Sequence, residues 1–184
     1  NIKNTWMNKV KEILDKNSHL HYFSNGYNRI LNSTIEFDKI SNVGDKVLDV
    51  GGNYEKHNKQ QSFELIFKAV KDIDYHCVNR GTLDMRTDIL NYEDESFDIV
   101  MSHESIEHFW LMKDAGMVDW SGIINFWRES FRVLKKGGTF LVSTRNRMSP
   151  FSIEKLRRGK PSMCSFFQVN TLSHIQEMGP ADFI

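Results

Sequence analysis

The spacing of apolar residues changes character along the chain. Trp6, Val10, Ile13 and Leu14 recur at helical spacing, and Asn17-Ser18 supplies a stop. The pattern predicts a second helix around Tyr27 to Leu31, then turn chemistry at Asn42-Val43-Gly44-Asp45. Beyond it the period shortens. Lys46-Val47-Leu48-Asp49-Val50-Gly51-Gly52 is a brief apolar run ending in glycines, which reads as a buried parallel strand feeding a loop. Phe63, Ile66, Phe67 and Val70 then form one helix face. Asp74 to Asn79 reads as a second strand, Thr82 to Asp88 as a weaker third, and Ser96 to Ser102 as a strong fourth. From Gly122 to Lys135, Ile124, Trp127, Phe131 and Leu134 predict a helix face. Lys135 and Lys136 suit the negative end of its dipole, Gly137-Gly138 stops it, and Thr139 to Thr144 is a further strand.

Strands alternating with helices predict an α/β fold with a mostly parallel sheet covered on both faces. Residues 1–42 read as an N-terminal helical appendage and residues 43–184 as the main domain. Right-handed crossovers place a ligand crevice at the carboxyl ends of the strands, after Val50, Val78, Met101 and Val142.

Charge alters this picture only locally. The 24 basic and 24 acidic residues sum to zero, which argues against a general nucleic-acid binder. Yet Glu93 to Glu107 holds six acids and no Lys or Arg, while Arg145 to Lys160 sets six Lys/Arg against one acid. No apolar run approaches the ~20 residues of a membrane span. Cys77 and Cys164, without a CxxC, read as free thiols in a reducing, cytoplasmic setting. The histidines show no metal-ligand spacing, so no metal is expected.

The chemistry concentrates after the first strand. Gly51-Gly52-Asn53 lets a ligand approach the backbone, and N–H groups there, at the start of a helix, would favour an electron-rich group. The loop is not GxGxxG, since Tyr54, Glu55 and Lys56 fill the later positions, which lowers the case for a dinucleotide.

Three segments in order are more specific. They are Lys46 to Gly52, Glu95 to Ser102 with Ile106-Glu107-His108, and Phe131-Arg132-Val133-Leu134-Lys135-Lys136-Gly137-Gly138-Thr139-Phe140. Together they resemble the class I S-adenosylmethionine-dependent methyltransferases, in the branch typified by ubiquinone and menaquinone methylation. The likeness runs from about Val43 to Thr144, and Val169, Leu172 and Ile175 resemble the helix before that family's sixth strand. It implies a Rossmann-like, doubly wound sheet and S-adenosylmethionine as cofactor. It further implies that Asp49, Gly51, Gly52 and Asn53 form the cofactor loop. Asp88 would accept from the adenine amino group with Ile89 beside the ring, and Ser102 and His103 would line the floor. Asn79 stands where the family usually holds both ribose hydroxyls with an acid. Asn53-Tyr54 is bulkier than the family's small residue and third glycine.

Methyl transfer is an in-line displacement driven mainly by positioning, and a base is needed only where the acceptor loses a proton. His103 is the candidate base. Glu104, His108 and Arg145 are the candidate acceptor-side residues. The stretch from Trp110 through Met117 to Trp127 reads as helix-packing surface or as a wall for an apolar acceptor. The leading expectation is a small-molecule methyltransferase whose acceptor is anionic or apolar. The alternatives are an inactive binding or scaffold protein on the same fold, and an RNA or protein methyltransferase. After Gly179 there is no room for the family's last two strands, so the C-terminal strands read as truncated. The chain is then either a fragment or a minimal form whose exposed sheet edge takes a partner, such as a second copy.

Overall fold

Val47 and Asp49 project from one face of their strand, and Leu48 and Val50 from the other, so both faces must be covered. The computed structural model describes residues 3–16, 26–56, 59–78, 83–103, 105–106, 109, 111–112 and 118–143. Its element order is α1 (Lys3–Lys16), α2 (Gly26–Ile40), β1 (Lys46–Val50), β2 (Asn53–Lys56), β3 (Lys59–Ser62), α3 (Glu64–Val70), β4 (Asp74–Val78), β5 (Phe97–His103), β6 (Leu111–Met112), β7 (Val118–Asp119), α4 (Ser121–Val133) and β8 (Leu134–Ser143).

The described strands of the main sheet lie in the order β4-β1-β5-β8, all parallel. Leu48, Val50, Phe97 and Val100 pack on one side against Ile123, Phe126 and Val133 of α4. Val47, Ile99 and Met101 pack on the other against Phe37 of α2 and Phe67 of α3. Trp6, Val10 and Leu14 of α1 form an outer layer with Ile30 and Ile66. The α/β architecture expected from alternating patterns is the one found.

Several local readings change. The second helix runs from Gly26 to Ile40, well past Leu31, because Phe37 is an anchor of the sheet face. Residues 83–88 form a turn and not a third strand. The apolar face expected on α4 is its outer face: Ile124 and Phe131 are 60% and 57% exposed. The inner face instead carries Asn125, Glu129 and Ser130 beside Ile123, Phe126 and Val133. Counting apolar residues misses this face because Asn125 and Glu129 on it are held by backbone partners. Asn125 donates to the carbonyls of Met85 (3.1 Å) and Asp88 (2.8 Å) and so ties the 83–88 turn to the helix.

The end of α4 also differs. The helix stops at Val133, and Leu134 is already extended. Gly137-Gly138 is therefore not its stop. These glycines sit in an irregularity of β8, where Gly137 has φ +78° and a Cβ on Gly138 would lie 2.8 Å from the Asp98 carbonyl. Lys135 pairs with Asp98 at 2.7 Å and Lys136 with Glu95 at 3.1 Å, so the two lysines hold the start of β5 and not a helix end.

Asn125→Ala is expected to lower stability by about 1–2 kcal/mol, since the carbonyls of buried Met85 and of Asp88 lose their donor. The midpoint of urea unfolding reads the change, and an unchanged midpoint would show that the turn is held by something else.

Candidate functional site

Parallel pairing brings the carboxyl ends of β1 and β5 side by side, with Asp49 opposite Met101 in register. Two serines fasten the loops that leave them. Ser102 Oγ donates to the Val50 carbonyl at 2.9 Å. Ser105 Oγ lies 2.9 Å from the His103 carbonyl and 3.2 Å from that of Gly51. Gly51 has φ +87°, a conformation suited to glycine, and a Cβ there would strike the Ser105 hydroxyl. Its N–H donates to the Val78 carbonyl at 2.7 Å and so joins the loop to the end of β4.

Gly52 answers to a different neighbour. A Cβ at this position would collide with the carboxylate of Asp49. That carboxylate is fully buried. Oδ2 accepts from the Tyr75 hydroxyl at 2.7 Å, while Oδ1 has no partner among the described residues. Burial pushes the Asp49 carboxyl up to about 7 against the opposing hydrogen bond from Tyr75. Burial likewise raises the Tyr75 phenol, helped by the charge of Asp49.

His103 closes the row on the same face of β5. Its ring stacks on Phe67 at 5.1 Å between centroids and meets Phe63 edge-on at 5.9 Å. Nδ1 is 2.8 Å from Ser143 Oγ on β8, and Nε2 is buried with no partner among the described residues. Burial lowers its pKa to about 4, so the imidazole is neutral at pH 7. One face of the four parallel strands thus carries a polar row, in which half-buried Tyr75 and Ser143 flank the buried Asp49 and His103.

Of the residues expected from sequence, Asp49, Gly51, Gly52, Ser102 and His103 are brought together here. Asn53 begins β2 directly after the glycines. Asp88 lies at the turn on the α4 side. Its carboxylate accepts from the Asp84 N–H at 2.8 Å and the Thr87 hydroxyl at 3.2 Å, and the neighbouring Ile89 is 66% exposed. Asn79, Glu104, His108 and Arg145 lie outside the described residues, as do the basic run 145–160, residues 169–175 and Cys164. Tyr75, Ser105 and Ser143 were not singled out from sequence. Their only signal is strand alternation, which becomes useful once the register is known.

One local expectation is overturned. The glycine loop does not open a helix. It runs into the antiparallel hairpin β2–β3, paired from Asn53–Ser62 to Lys56–Lys59, and α3 begins only at Glu64. Helical N–H groups therefore do not follow Gly52.

Residues 56–142 match the family described as "Methyltransferase domain", so the match begins just after the glycine loop. No curated protein matches the chain significantly. Among solved structures, a chain from the complex between the Haloferax volcanii Trm112 methyltransferase activator and the putative methyltransferase is 18% identical with a TM-score of 0.50, over 96% of this chain and 69% of that one. A putative S-adenosylmethionine-dependent methyltransferase from Methanococcus maripaludis is 13% identical with a TM-score of 0.48, over 83% and 71%. The YcgJ protein from Bacillus subtilis is 18% identical with a TM-score of 0.46, over 83% and 64%, so this chain spans less than two thirds of that protein. At such identities the Haloferax likeness speaks to fold alone. It agrees with the parallel sheet and the flanking helices described above. Residues 56–142 are thus similar to a methyltransferase domain, and the parallel sheet with its flanking helices agrees with the fold of the Haloferax chain.

Proposed function

We propose that the chain binds S-adenosylmethionine at the carboxyl ends of β1, β4 and β5 and directs methyl transfer to a small-molecule acceptor. The observation that carries this reading is the Asp49 carboxylate, fully buried beneath Gly52 with one oxygen unpartnered among the described residues. A buried carboxylate oxygen is costly unless a donor meets it. The cationic methionine end of the cofactor has such donors, so this part of the loop fits the group. Asp49, Gly51, Gly52 and Asn53 would hold that end, with Ser102 and His103 beside it. Asn79 would take the ribose hydroxyls, and Asp88 with Ile89 the adenine.

The cofactor supplies an activated methyl group, and what remains for the chain is alignment and exclusion of water. His103 is neutral at pH 7 with a free nitrogen, which suits a base for an acceptor that must lose a proton. Glu104, His108 and Arg145 would line the acceptor side. No helix among the described residues is long and apolar enough to cross a membrane.

A second reading, an inactive binding protein on the same fold, is favoured by the hairpin that replaces the helix start after Gly52. Calorimetric titration separates the two. The enzyme reading expects S-adenosylmethionine and S-adenosylhomocysteine to bind with dissociation constants in the micromolar range, about −8 kcal/mol at 1 μM. Asp49→Asn should weaken S-adenosylmethionine by at least about tenfold, which corresponds to about 1.4 kcal/mol. No heat at millimolar cofactor would sink the enzyme reading.

A further inference from the structure

Asp49 has to stay ionised at neutral pH to receive a cationic or donor group, yet its surroundings oppose this. It is fully buried, and among the described residues one contact offsets that burial: the Tyr75 hydroxyl, 2.7 Å from Oδ2. Tyr75 reaches it from the neighbouring strand. In the parallel register Tyr75 stands opposite Val47 and Cys77 opposite Asp49, so the phenol crosses one step diagonally along the same sheet face. A shorter hydroxyl at position 75 would not span that diagonal.

We propose that Tyr75 is a positioning residue for cofactor binding, whose hydroxyl fixes the Asp49 carboxylate through Oδ2 and keeps Oδ1 as the ionised acceptor left for the ligand. The proposal rests on the reading of Asp49 as part of the cofactor loop. It goes beyond that reading by assigning the control of Asp49 to a side chain of another strand. The other titratable groups nearby do not substitute for Tyr75. Cys77 on β4 and Glu64 on α3 both act on Tyr75 as negative charges and raise its phenol pKa. His103 on β5 is neutral at pH 7. The α2 side of the cluster contributes the uncharged Phe37. Among the described residues no positive charge therefore holds Asp49 ionised, and a hydrogen bond to the charged form is what remains there. The midpoint near 7 places the balance where loss of one donor changes the protonation state at physiological pH.

The experiment has two readouts on Tyr75→Phe, which keeps the ring and removes the donor. The first needs no cofactor: the titration of the Asp49 carboxyl carbon by ¹³C NMR. Its midpoint is expected to rise by about one pH unit, a tenfold change in protonation equilibrium. The second is the dissociation constant for S-adenosylmethionine by calorimetry from pH 6 to 9. At pH 7 binding is expected to weaken by about fivefold, since the ionised fraction falls from about one half to about one tenth, and the deficit is expected to shrink towards pH 9 as the carboxyl ionises anyway. A merely structural role would give a deficit independent of pH. An unmoved carboxyl midpoint, or a pH-independent deficit, overturns the proposal. Wild-type chain that fails to bind S-adenosylmethionine while the midpoint moves overturns the cofactor reading and the assigned role, but leaves the Tyr75–Asp49 coupling standing. Should Tyr75→Phe not fold, 3-fluorotyrosine at position 75 keeps the fold and strengthens the donor. The midpoint should then move down, and an unmoved or rising midpoint overturns the proposal.

Discussion

Arg132→Ala is expected to cost about 3–5 kcal/mol of unfolding free energy, the range for removing one partner of a buried ion pair. The reason is Glu129, whose side chain is 4% exposed on the inner face of α4. Its Oε2 accepts from Arg132 Nη2 at 2.8 Å, from Arg132 Nε at 3.1 Å and from the Leu90 N–H at 3.0 Å. Arg132 also donates to the carbonyls of Leu90 (2.8 Å) and Tyr92 (2.9 Å) and to Asp94 (2.7 Å). One guanidinium thus fastens the 90–94 segment, which leads into β5, to α4. Burial pushes the Glu129 carboxyl up, but the hydrogen bonds from Arg132 and Leu90 and the charge of Arg132 outweigh it and hold it below its ordinary value. Without Arg132 a buried carboxylate keeps the Leu90 amide and a distant, largely exposed Arg128 at 3.7 Å. Urea unfolding at pH 7 measures the loss. At pH 4 the deficit should shrink, because Glu129 in the variant takes up a proton there. A loss below about 1 kcal/mol would place this pair with ordinary surface ion pairs and refute the argument. Glu129→Leu combined with Arg132→Met should recover much of the stability, since no buried charge is then left alone.

This network also shows where sequence reading succeeds and where it stops. Arg132 was legible as part of a family-like motif, but its partners were not, because Glu129 sits one helical turn away on a face that apolar counting assigns to solvent. The strands β1 and β5 were legible because buried parallel strands are apolar on both faces and end in turns. The same rule located Asp49, a charge in such a run. The hairpin β2–β3 was not legible. Its residues, Asn53 to Ser62, are almost all polar, and such a run leaves no apolar period to read. The row of Tyr75, Asp49, His103 and Ser143 needs registers between four strands, and a single sequence does not hold those distances. What the sequence did hold was the order of its segments, and that order carried the resemblance to a methyltransferase domain.

Asp49 and His103 are expected to oppose each other in the pH dependence of folding, so that each effect emerges only when the other is removed. The Asp49 carboxyl is raised by burial from 3.8 to about 7. Between those values the folded chain holds a proton that the unfolded chain has released, and stability falls as pH rises through that window. His103 is lowered by burial from 6.5 to about 4. Between those values the unfolded chain binds the extra proton, so its contribution is present above 6.5 and is lost as pH falls towards 4. At about 1.4 kcal/mol per unit, the windows amount to roughly 3–5 kcal/mol each, and the two overlap with opposite sign. Asp49→Asn should therefore make stability rise more steeply with pH from 4 to 6.5 than in wild type, and His103→Gln should make it fall from 4 to 7 relative to wild type. Urea unfolding at half-unit steps between pH 4 and 8 gives both difference curves. Asp98 and Glu129, whose carboxyls are held low, act equally in all three proteins and cancel in the differences. Difference curves that are both flat, or that bend the same way, would show that these side chains are hydrated in solution and not sealed beneath Gly52 and Phe67. In that case Asp49 would no longer need a ligand's donor for its second oxygen, and the argument for a cofactor site at the end of β1 would lose its physical basis.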